Sequence, residues 1–209
     1  SHNAVLEGFN DLASVFPKVA AEWSDRNLPL LPTQVTAFAN KKVWWRCGKG
    51  HEWNTLISTR SCGSQCPYCS GQIVLKGFND LATVYPQLAE EWSERNFPLM
   101  PDTINEKSRR NVWWKCRQCG YEWKSVVHAR VEGASCPVCT DRAVLTGYND
   151  LATTDPQLLD QWDYLRNSGY NPKKLSRSSM QSVWWKCSCG HSYKAKVSER
   201  TIEANGCRV

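Results

Sequence analysis

A chain of 209 residues with a net charge of +6, 11 cysteines and 11 tryptophans has room for one large domain, but it holds no apolar run of membrane-spanning length and no secretory leader at its start. The expectation is an intracellular protein with no membrane partner, and a first residue that is Ser rather than Met reads as an excised or tagged fragment. Charge is segregated: counting Lys and Arg against Asp and Glu, residues 40–72, 107–142 and 173–209 carry +4, +5 and +6, while 1–39, 73–106 and 143–172 carry −2, −4 and −3. Basic stretches of this kind suit a polyanion, and the plainer reading of both signs is solvated surface.

Two markers recur in step. Val-Trp-Trp-(Arg/Lys)-Cys begins at Val43, Val112 and Val183, and Gly-(Phe/Tyr)-Asn-Asp-Leu-Ala begins at Gly8, Gly77 and Gly147. The chain is therefore three tandem repeats, residues 1–72, 73–142 and 143–209. A repeat near seventy residues is small enough for its apolar core to be marginal, so a staple is expected.

In repeat 1, Asn10 or Asp11 caps a short helix through Leu12, Ala13 and Val15, and Pro17 starts a second helix running from Lys18 to Trp23. Val19, Ala20 and Trp23 share a face, which makes Trp23, Trp92 and Trp162 core residues. Asn27, Pro29 and Pro32 end the helix and begin an extended crossing. Val43 to Cys47 is a strand, with Val43, Trp45 and Cys47 on one face and Trp44 and Arg46 on the other. Glu52 to Arg60 is the return strand. Trp44, Trp113 and Trp184 either stack bases or pack beneath the helices. Arg60, Arg130 and Arg200 each follow an aromatic by seven residues, and either contact phosphate or hold loop carbonyls or an acidic helix residue.

The cysteines come in pairs with two residues between them, flanked by Gly and Pro and joined by histidine, which favours metal over disulfides. Repeat 1 offers Cys47, His51, Cys66 and Cys69; repeat 2 offers Cys116, Cys119, Cys136 and Cys139. Each short turn presents two donors, so two turns fill the four corners of a tetrahedron, the zinc pattern. Cys62 has no counterpart in the other repeats and reads as a free thiol, and His128 as an ordinary strand residue. Repeat 3 departs from the pattern: Cys187, Cys189 and His191 admit both a C-x-C and a C-x3-H reading, and Cys207 would need a partner at position 210, one residue past the end. The expected site there is Cys187, Cys189, His191 and Cys207. Ten positions separate Cys69 from Asn79 and Cys139 from Asn149, so the repeats are expected to be packed or semi-rigidly coupled.

These residues resemble a family described as a probable zinc-ribbon domain of unknown function. Its marks are the Asn-Asp-Leu-Ala opening, the helix ending in Glu-Trp, the Trp-Trp-Lys-Cys strand, the Gly-His-Glu-Trp knuckle and the Cys-Pro-x-Cys close. The resemblance implies tandem arrays, in some relatives beside nuclease domains, and hence nucleic-acid targeting. Repeat 2 departs in using cysteine where the family has histidine, and repeat 3 in its missing last cysteine.

The expected fold is α+β: three small zinc-bound units, each a short helical pair and a zinc-ribbon or treble-clef-like hairpin. Gly71 after Cys69 favours a loop over a helix at the second knuckle. Four protein ligands leave zinc no open position for water, the four histidines are scattered and no carboxylate cluster repeats, so no enzyme is expected. The first reading is a non-catalytic nucleic-acid-binding array for DNA or RNA. Its contacts would be Trp44, Arg46, Arg60, Arg109, Arg110, Trp113, Lys115, Arg130, Trp184, Lys186 and Arg200. The alternative is a protein-interaction scaffold within a larger assembly.

Overall fold

The structure is a computed structural model that describes residues 4–203. The chain divides into two compact units, one running to Val84 and including Asp102–Asn105, the other made of Tyr85–Pro101 and the chain from Glu106 onward. Among the described residues no helix is long and apolar enough to cross a membrane.

Repeat 1 opens with α1 (Leu12–Val15), where the Asp11 carboxylate accepts from the backbone N–H of Ser14 at 2.9 Å. This occupies one of the amides that the first turn leaves unpaired. Helix α2 (Pro17–Ala20) has Pro17 in its first turn and is shorter than the expected Lys18–Trp23. Beyond it the backbone of Glu22–Ser24 runs along the edge of the hairpin formed by β1 (Lys42–Arg46) and β2 (Glu52–Leu56). Arg46 donates to the Glu22 carbonyl at 2.7 Å and Ser24 to the Trp44 carbonyl at 3.2 Å. Side-chain alternation buries Val43 and Trp45 and turns Lys42 and Arg46 to solvent.

The return strand stops at Leu56 rather than continuing to Arg60, and Ile57–Ser61 forms α3. Ile57 and Arg60 are both buried, and a helical turn, unlike a strand, brings positions three apart to one face.

The same elements recur as α4 (Leu81–Val84), α5 (Pro86–Ala89), β3 (Asn111–Lys115), β4 (Glu122–Val126) and α6 (Val127–Val131). Repeat 3 follows with α7 (Leu151–Thr154), a 3₁₀ stretch Pro156–Gln161, β5 (Ser182–Lys186), β6 (Ser192–Lys196) and α8 (Val197–Thr201). His128 lies on α6, not on a strand, exposed and 3.2 Å from Glu132 one turn on. The fold is α+β, with each hairpin a two-stranded antiparallel sheet in matching register: Trp45 opposite Trp53, Trp114 opposite Trp123, Trp185 opposite Tyr193.

One tryptophan forms the centre of each repeat. Trp45, Trp114 and Trp185 are fully buried, each meeting Trp23, Trp92 or Trp162 edge to face at 5.5, 5.5 and 5.4 Å. Their indole N–H groups donate to the carbonyls of Thr55, Ser125 and Ala195, so burial leaves no donor unpaired.

The neighbouring tryptophan is held through its backbone. The Asn27 amide donates to the Trp44 carbonyl at 2.7 Å and accepts from its N–H at 2.8 Å, imitating a strand partner; Asn96 does the same to Trp113 and Asn167 to Trp184.

Asn96→Ala leaves the Trp113 N–H unpaired and its carbonyl with the Ser93 N–H alone, and is expected to destabilise the protein by about 2 kcal/mol, read as a lower denaturant midpoint. Burial pushes the Asp150 carboxyl up, but the Thr153 hydroxyl and the amides of Gly147 and Thr153 hold it below the ordinary value. Its contribution is therefore present at neutral pH and lost as pH falls through the lowered folded value. Asp150→Ala should cost about 1 kcal/mol at pH 7, and the gap from the parent should close on acidification.

Candidate metal centre

The first knuckle is a tight turn at the end of the hairpin. Cys47 N–H donates to the His51 carbonyl at 3.1 Å and Gly50 N–H returns to the Cys47 carbonyl at 2.8 Å. Gly50, Gly120 and Gly190 sit at φ +83, +71 and +87, where a side chain is strained. The second knuckle, Cys66–Cys69 or Cys136–Cys139, is a run of turns with no helix after it.

Folding brings the two knuckles together. The donor atoms of Cys47, His51, Cys66 and Cys69 lie within 4.8 Å of one another, and so do those of Cys116, Cys119, Cys136 and Cys139. The separations test the fit to a metal. Zinc at its usual bond lengths of about 2.3 Å to sulfur and 2.0–2.1 Å to nitrogen spaces tetrahedral ligands about 3.8 Å apart for two sulfurs and about 3.6 Å for sulfur and nitrogen. The sulfur pairs Cys47–Cys69, Cys116–Cys139 and Cys119–Cys136 stand at 3.9, 3.6 and 3.6 Å. Nδ1 of His51 stands 3.5, 3.7 and 3.3 Å from the sulfurs of Cys47, Cys66 and Cys69. The donor sets fit zinc, and none of these sulfurs is in a disulfide.

Their ionisation is split. Burial raises the Cys116 thiol, but the amides of Cys119 and Gln118 and the neighbouring thiols outweigh it and bring it down to about 7. Burial and the surrounding sulfurs push Cys139 far above the ordinary thiol range, and Cys69 up to about 11. Four sulfurs in one place cannot all carry charge unless a cation shares the site.

Repeat 3 differs. Cys187 and Cys189 are joined as a disulfide, with His191 Nδ1 3.3 Å from the Cys189 sulfur. The expectation of two thiolate ligands there is corrected for this form. The two cysteines flank a single residue, and the described chain offers no second knuckle to hold them apart. The three donor atoms still cluster, so the site becomes a metal corner only when reduced. Cys207 lies outside the described residues. Cys62 is exposed, free and outside every cluster.

The expected nucleic-acid contacts fall into two groups. Arg46, Lys115, Lys186, Arg109 and Arg110 are exposed. Arg60 and Arg130 are only 6% and 8% exposed, and the phosphate reading is corrected for both. Arg60 donates to the Ser64 carbonyl and to Glu22, and Arg130 to the Ala134 carbonyl and to Glu91. Each guanidinium also lies between two rings: Trp45 and Trp53 for Arg60, Trp114 and Trp123 for Arg130. Arg200, half-buried, donates to Gln161 in the same place.

Trp44, Trp113 and Trp184 are half-buried, and the guanidinium groups of Arg26, Arg95 and Arg166 stand 3.5, 3.4 and 4.7 Å from their ring centres. One arginine thus stands over each ring, an arrangement that neither reading of these tryptophans, base stacking or packing beneath the helices, had named. The Arg-Asn pairs at 26–27, 95–96 and 166–167 were missed, although they recur in step with the Trp-Trp markers.

The family described as a probable treble clef zinc finger domain matches residues 19–72, 88–142 and 158–209. The chain belongs to that family. Each match contains one hairpin with its first knuckle, and the first two also contain the second knuckle, so three units of the family stand in tandem. No curated protein matches the chain.

With two complete donor sets among the described residues, two zinc ions per chain should survive exhaustive dialysis without reductant, measured by elemental analysis. Arg130→Ala removes the partner of half-buried Glu91 and of the Ala134 carbonyl and is expected to cost about 1–3 kcal/mol, read by chemical denaturation.

Proposed function

We propose that the protein is a non-catalytic nucleic-acid-binding array of three treble clef units, with the two complete donor sets closed by structural zinc. Four protein donors complete a tetrahedron and leave no position for a reacting water, which supports a structural role for the metal. The reading rests on one observation: the outer face of every hairpin carries exposed basic residues beside an arginine stacked on tryptophan. Repeat 1 has Lys42 and Arg46 beside Arg26 and Trp44; repeat 2 has Lys115 and Lys124 beside Arg95 and Trp113; repeat 3 has Lys186 and Lys194 beside Arg166 and Trp184. A guanidinium flattened on a ring is already ordered; each lies 3.6–3.7 Å from a carboxylate (Glu52, Glu122 or Asp163), and its half-exposed side chain keeps further N–H groups for phosphate or base. Three weak sites on one chain gain affinity through effective concentration.

A protein-interaction role has its own support. Leu28 and Leu31 in repeat 1 and Phe97 and Met100 at the same positions in repeat 2 are exposed apolar side chains. Aromatic and methionine side chains of this kind are common at interface centres.

Anisotropy of labelled duplex DNA, single-stranded DNA and RNA, titrated with zinc-loaded protein across salt, tests the proposal. Affinity should fall steeply with salt, and Lys115→Ala with Lys124→Ala should weaken binding and reduce the salt slope by about two. Lys18→Ala, on α2, should leave both unchanged. Absence of binding at low salt would overturn the nucleic-acid reading and leave the exposed Leu28 and Phe97 positions as the surface to pursue.

A further inference from the structure

The Gly-(Phe/Tyr)-Asn-Asp segment that opens a repeat does two jobs. Inside its own repeat its geometry is the same three times. The side chains of Asn10, Asn79 and Asn149 accept from the amides of Leu6, Leu75 and Leu145 at 2.7, 2.6 and 2.8 Å, and the Asp that follows accepts from the Gly amide. This loop sets the start of α1, α4 and α7.

Its second job concerns the repeat before it. The Asn79 amide donates to the carbonyl of Tyr68, inside the Cys66–Cys69 knuckle, at 2.7 Å, and to Ile73 at 2.9 Å. Asn149 donates to Val138, inside the Cys136–Cys139 knuckle, and to Ala143, both at 2.9 Å. The Phe78 ring meets His51, a donor of the first cluster, at 4.3 Å, and Tyr148 interacts through its hydroxyl with Cys139 of the second. Ala143 and Leu145 pack on Cys116, Cys136 and Val138. The opening of one repeat is thus the cover of the preceding donor cluster.

Residues 4–11 carry the whole of this cover, and among the described residues no donor cluster lies against it. Ala4-Val5-Leu6-Glu7-Gly8-Phe9-Asn10-Asp11 aligns with Ala143-Val144-Leu145-Thr146-Gly147-Tyr148-Asn149-Asp150 and differs only at Glu7/Thr146 and Phe9/Tyr148. Yet Phe9 is 78% exposed and Leu6 57%. Among the described residues the Asn10 amide keeps only its internal bond, to Ala4 at 3.0 Å, and lacks the one that its equivalents give to a knuckle.

We infer that residues 4–11 form a docking surface for a further Cys-Pro-x-Cys zinc knuckle of the kind found at 66–69 and 136–139. Phe9 would lie against its ligands and Asn10 would bond the carbonyl between its cysteines. The occupant follows from continuity with an interface that the chain already makes twice, in which the same residue types grip the same two features.

The test lengthens the chain by one repeat. A copy of residues 4–72 joined ahead of Ala4 places a knuckle before Phe9 at the spacing that Cys69 has from Phe78. Zinc transfer to a coloured chelator is then followed with Phe9→Ala, Asn10→Ala and Phe78→Ala. Phe78→Ala should speed release from the first cluster of the 209-residue chain by about tenfold, the usual effect of removing a residue that supports a ligand. Phe9→Ala and Asn10→Ala should do nothing in that chain and should speed release from the added site by a similar factor in the longer one. If Phe78→Ala accelerates release while Phe9→Ala is silent in the longer chain, the docking surface is overturned. If Phe78→Ala is itself silent, the covering role falls for every repeat. If the 209-residue chain self-associates through Phe9, shown by a sedimentation shift that Phe9→Ser abolishes, the occupant is a second copy and the inference is overturned.

Discussion

A two-stranded hairpin cannot stand alone in water. It has one face to bury, two open edges and too few neighbours to cover them. Everything else in each repeat supplies what the hairpin lacks. A tryptophan from the crossing segment closes over the buried tryptophan, the asparagine amide substitutes for a third strand beside Trp44, Trp113 or Trp184, and in repeats 1 and 2 the donor cluster ties the far end to the second knuckle. The buried arginine joins helix, hairpin and loop in one contact, since Arg60 reaches Glu22, the Ser64 carbonyl and two indoles.

Comparing repeats shows that the chemistry is kept where the residues change. In repeats 1 and 2 a serine hydroxyl on the crossing segment, Ser24 or Ser93, donates to a glutamate on the hairpin, Glu52 or Glu122. In repeat 3 the partners trade places: Ser192 on the hairpin donates to Asp163 on the segment. The arginine partner shifts in a similar way, from Glu22 and Glu91 to Gln161. Swapped pairs of this kind keep a hydrogen bond while moving the charge, which places a carboxylate near Arg26, Arg95 and Arg166 in every repeat.

Much of this was legible from spacing. Period-two alternation separated buried Trp45 from Trp44, and the C-x2-C pairs, with the Cys47–His51 pair, located both complete donor sets, because strand pleat and knuckle geometry are local. What the sequence hid was non-local. Arg60 and Arg130 look like surface charges until the carboxylates 38 and 39 residues earlier are seen to enclose them. The stacking of Arg26 on Trp44 likewise depends on a chain crossing that no short window contains. The helical turn after β2 was read as strand because Ile57 and Arg60 fit both periods until burial separates them.

The cover that one repeat lends to its predecessor has a direction in time. A chain is made from its N-terminus, so the four donors of a cluster emerge before the residues that close over them. Phe78 follows Cys69 by nine positions, and Tyr148 follows Cys139 by the same number. Each cluster therefore has an interval during synthesis in which it is complete in ligands but open to an incoming ion, and the start of the next helix seals it. Loading and sealing are ordered by the chain itself.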